Sequence, residues 1–366
     1  MRDLAFVAGL ALSATVLWDA FETIVLPRTV TRRLRLAGIY VRGTWRAWAR
    51  FARLFDSDAR RERFLAVYGP ISLLGLLTVW AVGLIVGFAV LQWSAGSRLL
   101  TPAGDVSFAD DVYMSGTTFF TLGLGDVQPV GRRARVLTVV EAGTGFGFLA
   151  LVIGYFPVLY QSFARREVRL TLLDAWAGSP PSAVEILQRL ARTGELHALE
   201  KFLADWEYWC SEVLESHISY PMLAFFRSQH QRQSWVAALT TVLDVSALLA
   251  VGIDGLSKWQ AHVTFAIARH TAVDLAHVLH ASPDAAADRL SVGDLDHMRE
   301  LLDEAGVRLR RSSDADAELV KLRRSYEPYV AGLGRMLMMP LPAWWRQGVV
   351  RDNWQTSPKR DGGPHL

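Results

Sequence analysis

Near the middle of the chain, the run Thr121-Leu122-Gly123-Leu124-Gly125-Asp126 alternates glycine with larger residues. Gly123 and Gly125 can take left-handed backbone angles that cost other residues about 1–2 kcal/mol. Such alternation turns successive carbonyls to the same side. The carbonyls of Thr121, Leu122, Gly123 and Leu124, with the Thr121 hydroxyl, can then replace the water shell of a dehydrated cation. Asp126 closes the run with a carboxylate. Asp110 and Asp111 add negative charge that would concentrate cations, although both also fit as ordinary acids at a helix start. None of this chemistry is covalent. No nucleophile–base pair stands out, so an enzyme is not expected. The other cluster of chemical interest is His270, Asp274 and His277, which share a helical face at metal-ligand spacing; surface residues commonly give the same pattern.

A carbonyl ring needs an element to aim it. Ser107 with Asp110 three residues on forms a capping-box start. The next ten residues carry Val112, Tyr113, Met114, Phe119 and Phe120 with no breaker but Gly116. The spacing predicts a helix of about three turns whose C-terminal, partially negative end meets Thr121. A cation would be favoured there.

The surrounding composition points to a membrane. Of 366 residues 51% are hydrophobic, and the mean hydropathy is +0.19. The apolar residues concentrate in the first 165 positions. Three stretches, 4–26, 69–93 and 136–163, are long enough to span, which takes about 20 apolar residues. Asp19 and Glu22 in the first are expected to partner nearby arginines at the interface. Between the first two spans lie Arg28, Arg32, Arg33, Arg35, Arg42, Arg46, Arg50, Arg53, Arg60, Arg61 and Arg63 against Asp56, Asp58 and Glu62. A loop that basic belongs on the cytoplasmic side, which puts the N-terminus and residues 94–135 outside and the C-terminal half in the cytoplasm. Arg165, Arg166 and Arg169 after the third span agree. Arg42, Arg46, Arg50 and Arg53, with Trp45, Trp48, Phe51 and Leu54 between them, read as an amphipathic helix on the leaflet, tryptophans at the interface. The basic excess is topological, and nucleic acid is not an expected partner. The lone Cys210 excludes an intrachain disulfide framework.

Taken together, the span, the capped helix, Thr118-x-x-Thr121-x-Gly123-x-Gly125-Asp126, Pro129 and the next span resemble the pore module of the potassium channel family. The resemblance covers residues 65–160, roughly a quarter of the chain. It implies K⁺ as the permeant ion, bound at Thr121, Leu122, Gly123 and Leu124 with Gly125 completing the filter, and no other cofactor. Asp126 would lie at the outer mouth, with Thr117, Thr118 and Glu141 supporting the filter from behind. The family filter is usually Thr-Val-Gly-Tyr-Gly-Asp. Leu122 and Leu124 depart from it, and Leu at the Tyr place, which resembles one of the two filters of some two-pore-domain potassium channels, removes a side chain that stiffens the outer filter. Four loops around one axis are required and the chain offers one, so three further copies are the implied partners. The third span resembles the inner, gating helix, with Gly143, Gly145 and Gly147 and then Gly154 and Pro157 as places to bend or pack closely; Gly147, Gly154 and Pro157 are the gate or hinge candidates. The glycine run mimics part of a dinucleotide fingerprint, but inside an apolar span it implies no dinucleotide.

The C-terminal half reads as helices over 182–193, 195–217, 232–256, 258–280, 294–310 and 315–338. The alternating strands of a nucleotide-binding regulatory domain are not visible. Residues 235–256 are apolar enough to suggest a fourth span, but Asp244 and Asp254 would be expensive at depth, so a buried helix is expected. The fold class expected is an all-α membrane protein: three transmembrane helices with a re-entrant pore helix and filter loop, plus an all-helical cytoplasmic domain. Its divisions are an N-terminal span (1–27), a basic interfacial segment (28–64), a pore domain (65–164), a helical domain (165–338) and a tail (339–366). The expected function is a potassium-selective subunit of a homotetramer in the plasma (inner) membrane, contacting lipid. The alternatives are a weakly selective cation channel or a membrane-tethered sensor whose activity lies in the helical domain.

Overall fold

The structure is a computed structural model describing residues 1–26, 35–96, 99–101, 104, 106–230, 232–253, 255–346, 348, 352 and 353. Arg28, Arg32, Arg33, Asp254 and, in the tail, residues 347, 349–351 and 354–366 lie outside the described residues. The chain divides into two compact units, Met1–Gln161 and Ser162–Leu366.

The first unit is built on α1 (Arg2–Ile24), α2 (Leu36–Ala52), α3 (Asp58–Ser94), α4 (Phe108–Phe119) and the start of α5 (Arg132–Ala177). The helices α1, α3 and α5 are each long and apolar enough to cross a membrane. Two outrun the apolar stretches that predict them: α3 begins eleven residues earlier and α5 continues past residue 163 through Arg165, Arg166 and Arg169. Charge marks where a helix leaves hydrocarbon, whereas a helix ends only where its backbone is broken or capped. The extended backbone of Ser57 marks the start of α3, and Gly178, at φ 77°, follows the last residue of α5.

In the absence of a hydrophobic drive within lipid, small residues let helices approach. Gly9 and Ser13 on α1 face Gly87 on α3, where an added Cβ would meet the Ser13 Oγ at 2.3 Å. Asp19 differs from expectation. Its Oδ2 accepts from the Ala37 backbone N–H at 3.0 Å and the Trp80 Nε1 at 2.9 Å, so it anchors the N-terminus of α2 and ties it to α1 and α3; among the described residues it pairs with no arginine, Arg28, Arg32 and Arg33 lying outside them. Glu22 does follow the pattern: it lies 3.8 Å from Arg35 and accepts from the Trp18 indole at 2.7 Å.

The basic helix α2 keeps Arg46, Arg50 and Arg53 exposed, but its tryptophans face protein, not headgroups. Trp45 is buried edge-on against Tyr68, and Trp48 stacks on Phe64 at 4.5 Å. These partners lie on the N-terminal extension of α3 that hydropathy alone does not reveal.

The second unit contains the end of α5 with α6 (Ala183–Arg192), α7 (Ala198–Ser219), a 3₁₀ turn (Pro221–Phe225), α8 (Trp235–Val251), α9 (Trp259–Val278), α10 (Val292–Glu304), α11 (Ser313–Arg324) and α12 (Glu327–Leu337). Every residue of α8 is buried within this unit, so it is a core helix. Asp244, in its middle, is met by Arg289 at 2.5 and 3.1 Å and by the Tyr326 hydroxyl at 2.6 Å. Arg323 bridges Glu327 and Asp288, and the Trp344 ring lies beside both arginines. The helix expected over 315–338 is two helices. Pro328, in the first turn of α12, has no N–H to donate to the Arg324 carbonyl, so one helix cannot run unbroken through it.

At the top of α7, Arg166 donates to the carbonyls of Leu223 (2.9 Å) and Phe226 (2.7 Å), pairs with Glu167 and sits 3.1 Å from His217 Nε2. Burial and the adjacent Arg166 hold His217 well below its usual pKa. Cys210 is fully buried on the same helix, and burial pushes its thiol pKa up.

Candidate ion-conducting site

The helix α4 is fixed at its start by Asp110, which accepts from the Ser107 backbone N–H at 2.7 Å and its hydroxyl at 2.8 Å. These bonds hold Asp110 below the usual carboxylate range. Asp111 is buried against the unit and does not face solvent.

At its other end α4 runs directly into the loop. The Thr121 N–H donates to the Thr118 carbonyl at 3.0 Å and the Leu122 N–H to the Thr117 carbonyl at 2.8 Å. Thr117 and Thr118 therefore hold the loop's first turn through their backbones. The Thr117 hydroxyl turns back to the Met114 carbonyl at 3.0 Å.

Beyond that turn the backbone alternates. Thr121, Gly123 and Gly125 have φ of 56°, 58° and 77°, with Leu122 and Leu124 between them. A Cβ on Gly123 would meet nothing within 4 Å, so glycine is needed there for its backbone angle, not for room. Thr121 adopts the same sign without being glycine, which the spacing does not predict. Thr121 through Asp126 are all exposed on the single chain, Leu122 at 61% and Leu124 at 64%. The two leucine side chains thus form exposed apolar surface within one copy.

The outer end of the loop is pinned. Tyr113 on α4 donates its hydroxyl to Asp126 Oδ2 at 2.8 Å, and Gln128 Nε2 donates to the Gly125 carbonyl at 2.8 Å. Just outside, β1 (Leu99–Leu100) pairs antiparallel with β2 (Gln128–Pro129). Tyr113 is not among the residues that the motif singles out. The signal was its place one turn before Thr117, on the face that reaches the loop.

Behind the loop, Glu141 on α5 is fully buried and bonded to Ser115 on α4. Gly145, one turn further, packs directly against the end of α4: a Cβ there would lie 2.1 Å from the Phe119 carbonyl oxygen. Gly147 and Gly154 face open space in the single chain, and α5 is helical through both and through Pro157. Of the glycines in this run, Gly145 is the one whose missing side chain the packing uses. In the second unit, His270 lies 3.5 Å from Asp274 while His277 stands against the Tyr329 ring. Among the described residues no three His, Cys, Asp or Glu side chains converge as a metal site would require.

Three helices long and apolar enough to cross a membrane, with a capped short helix leading into an exposed loop of alternating positive φ, fit an all-α membrane protein. In agreement, residues 75–161 match the family Ion_trans_2, described as an ion channel. The chain is also 22% identical over 194 residues to the "Uncharacterized membrane protein YdjJ" of Bacillus subtilis (strain 168), covering 52% of this chain and 56% of that protein. It thus spans little more than half the length of that relative. No solved structure matches.

Proposed function

We propose that four copies of this chain form a potassium-selective channel, with K⁺ moving passively past the carbonyls of Thr121, Leu122, Gly123 and Leu124. The observation that carries the reading is the alternating left-handed backbone at Thr121, Gly123 and Gly125, placed at the C-terminal end of a capped helix where the helix dipole favours a cation. The exposure of that loop on one chain supports its completion by three others. Asp126, pinned by Tyr113, lies at the outer mouth. The basic segment around α2 supports an orientation with the N-terminus and the filter loop outside and the C-terminal unit in the cytoplasm, in the plasma (inner) membrane and in contact with its lipid. The reading is of a conductor, not an enzyme, with the helical C-terminal unit assembling or gating the pore.

The experiment is K⁺ flux into liposomes containing purified protein, wild type against Gly123→Ala. Each Ala would be forced to a φ that costs about 1–2 kcal/mol, four times over in a tetramer, and flux should fall at least about tenfold. Undiminished flux, or a conducting monomer, would overturn the proposal. A weakly selective cation pore is the second reading, and the exposed Leu124 favours it, because its side chain offers no hydrogen bond to stiffen the outer loop. Reversal potentials in mixed Na⁺ and K⁺ separate the two.

A further inference from the structure

The contact between Glu141 and Ser115 has a hydrogen count that decides its chemistry. Ser115 has no exposed surface. Its Oγ lies 2.7 Å from the Ile85 carbonyl oxygen on α3 and also within hydrogen-bonding distance of Glu141 Oε1 on α5. A serine hydroxyl carries one hydrogen and a carbonyl can only accept. The contact with Ile85 therefore takes the Ser115 hydrogen, since otherwise two bare oxygens would face each other at 2.7 Å. The bond to Glu141 then needs its hydrogen from the carboxyl.

The surroundings agree. Among the described residues Glu141 Oε2 has no hydrogen-bond partner. The helix α3 carries no charge between Arg63 and Arg98. On α4 the acids are Asp110 and Asp111, a turn or more toward its N-terminus, and Tyr113 is engaged by Asp126. The nearest basic residues along α5 are Arg135 and Arg165, more than a turn away on either side. From α1, Asp19 and Glu22 are taken up by Trp80, Ala37, Trp18 and Arg35. An ionised carboxylate that is fully buried, half-partnered and without a cation is far costlier than a neutral acid.

We infer that Glu141 is an uncharged carboxylic acid that donates its proton to Ser115 Oγ, completing a Glu141–Ser115–Ile85 relay that ties α5, α4 and α3 together behind the loop. The filter's own acid, Asp126, is held separately by Tyr113, so the relay acts on the body of α4. Glu141 is a positioning residue, and its effect on conduction rests on the pore reading above. Its protonation does not.

The test has two readouts. In infrared spectra of the purified full chain in lipid at neutral pH, the C=O stretch of a protonated carboxyl should be present, vanish in Glu141→Gln and shift in Ser115→Ala. In liposomes, Glu141→Gln, which keeps a donor, should conduct as wild type does, while Ser115→Ala and Glu141→Ala should lose about tenfold in K⁺ flux, the equivalent of one buried hydrogen bond. A wild-type spectrum without a band that Glu141→Gln removes would overturn the inference. If Glu141→Gln does not fold, the shift in Ser115→Ala decides, and an unshifted band overturns it equally. If the band is present but the wild-type protein itself does not conduct, the pore reading fails and the relay stands; if wild type conducts and Glu141→Gln folds but does not, the positioning role of Glu141 is overturned.

Discussion

The two units each bury a carboxyl inside an apolar helix and solve the resulting problem in opposite ways. In the first, Glu141 has no cation beside it among the described residues and shares one hydrogen bond with Ser115, and apolar residues of its helix, such as Val139, Phe146 and Ile153, are exposed. In the second, Asp244 is clamped by Arg289 and Tyr326, with Glu327 and Arg323 behind them, and the apolar helix that carries it has no exposed residue at all. Burial pushes Asp244 up and Arg289 pulls it back. The difference follows from the surroundings. A unit that folds around its own core can bring charged side chains in from neighbouring helices and surround an acid with them. A helix that presents its apolar side outward has fewer partners to offer, and neutralising the acid is the cheaper route.

Removing the cation from the second unit breaks this contrast most severely. Arg289→Met should leave Asp244 buried and uncompensated and cost about 3–5 kcal/mol of unfolding free energy by denaturant titration, and adding Asp244→Asn should recover much of it. A smaller loss is expected in the first unit from Asp19→Asn. It keeps the shape but removes the charge from the N-terminus of α2 and weakens the bond to Trp80. A cost of about 1–3 kcal/mol should appear as a lower thermal midpoint in detergent. Smallest is the pH effect at His217. Its folded pKa is depressed, so the unfolded chain binds the extra proton first, and stability should fall as pH drops below about 6.5, the ordinary histidine value. The slope attributable to this residue is at most about 1.4 kcal/mol per pH unit and should be absent in His217→Gln.

How much of this was legible in the sequence varied with the physics of each element. The spans could be read because about 20 predominantly apolar residues in a row have few other uses, and α4 could be read from Ser107 and Asp110. Its far end could be read from Gly123 and Gly125, although the positive φ of Thr121 could not, since nothing in a threonine announces it. Pairings across elements were the hidden part. Asp19 suggests an arginine partner because Arg28, Arg32 and Arg33 are close in sequence; its partners among the described residues are Trp80, 61 residues away, and the backbone of α2. Trp45 and Trp48 had the spacing of interfacial anchors, and only the early start of α3 revealed what they cover. Gly145 looked like its neighbours Gly143 and Gly147 until the Phe119 carbonyl was seen beside it.

Cys210 gives this chain a practical property. It is the sole thiol in the sequence, sealed inside the second unit and held protonated by its burial, so it should ignore alkylating reagents while the protein is folded. The native chain is thus a silent background. A single cysteine introduced beside Gln128, or on the exposed face of α9, would be the one reactive handle in the molecule, and a membrane-impermeant maleimide would then report which side of the bilayer each position occupies.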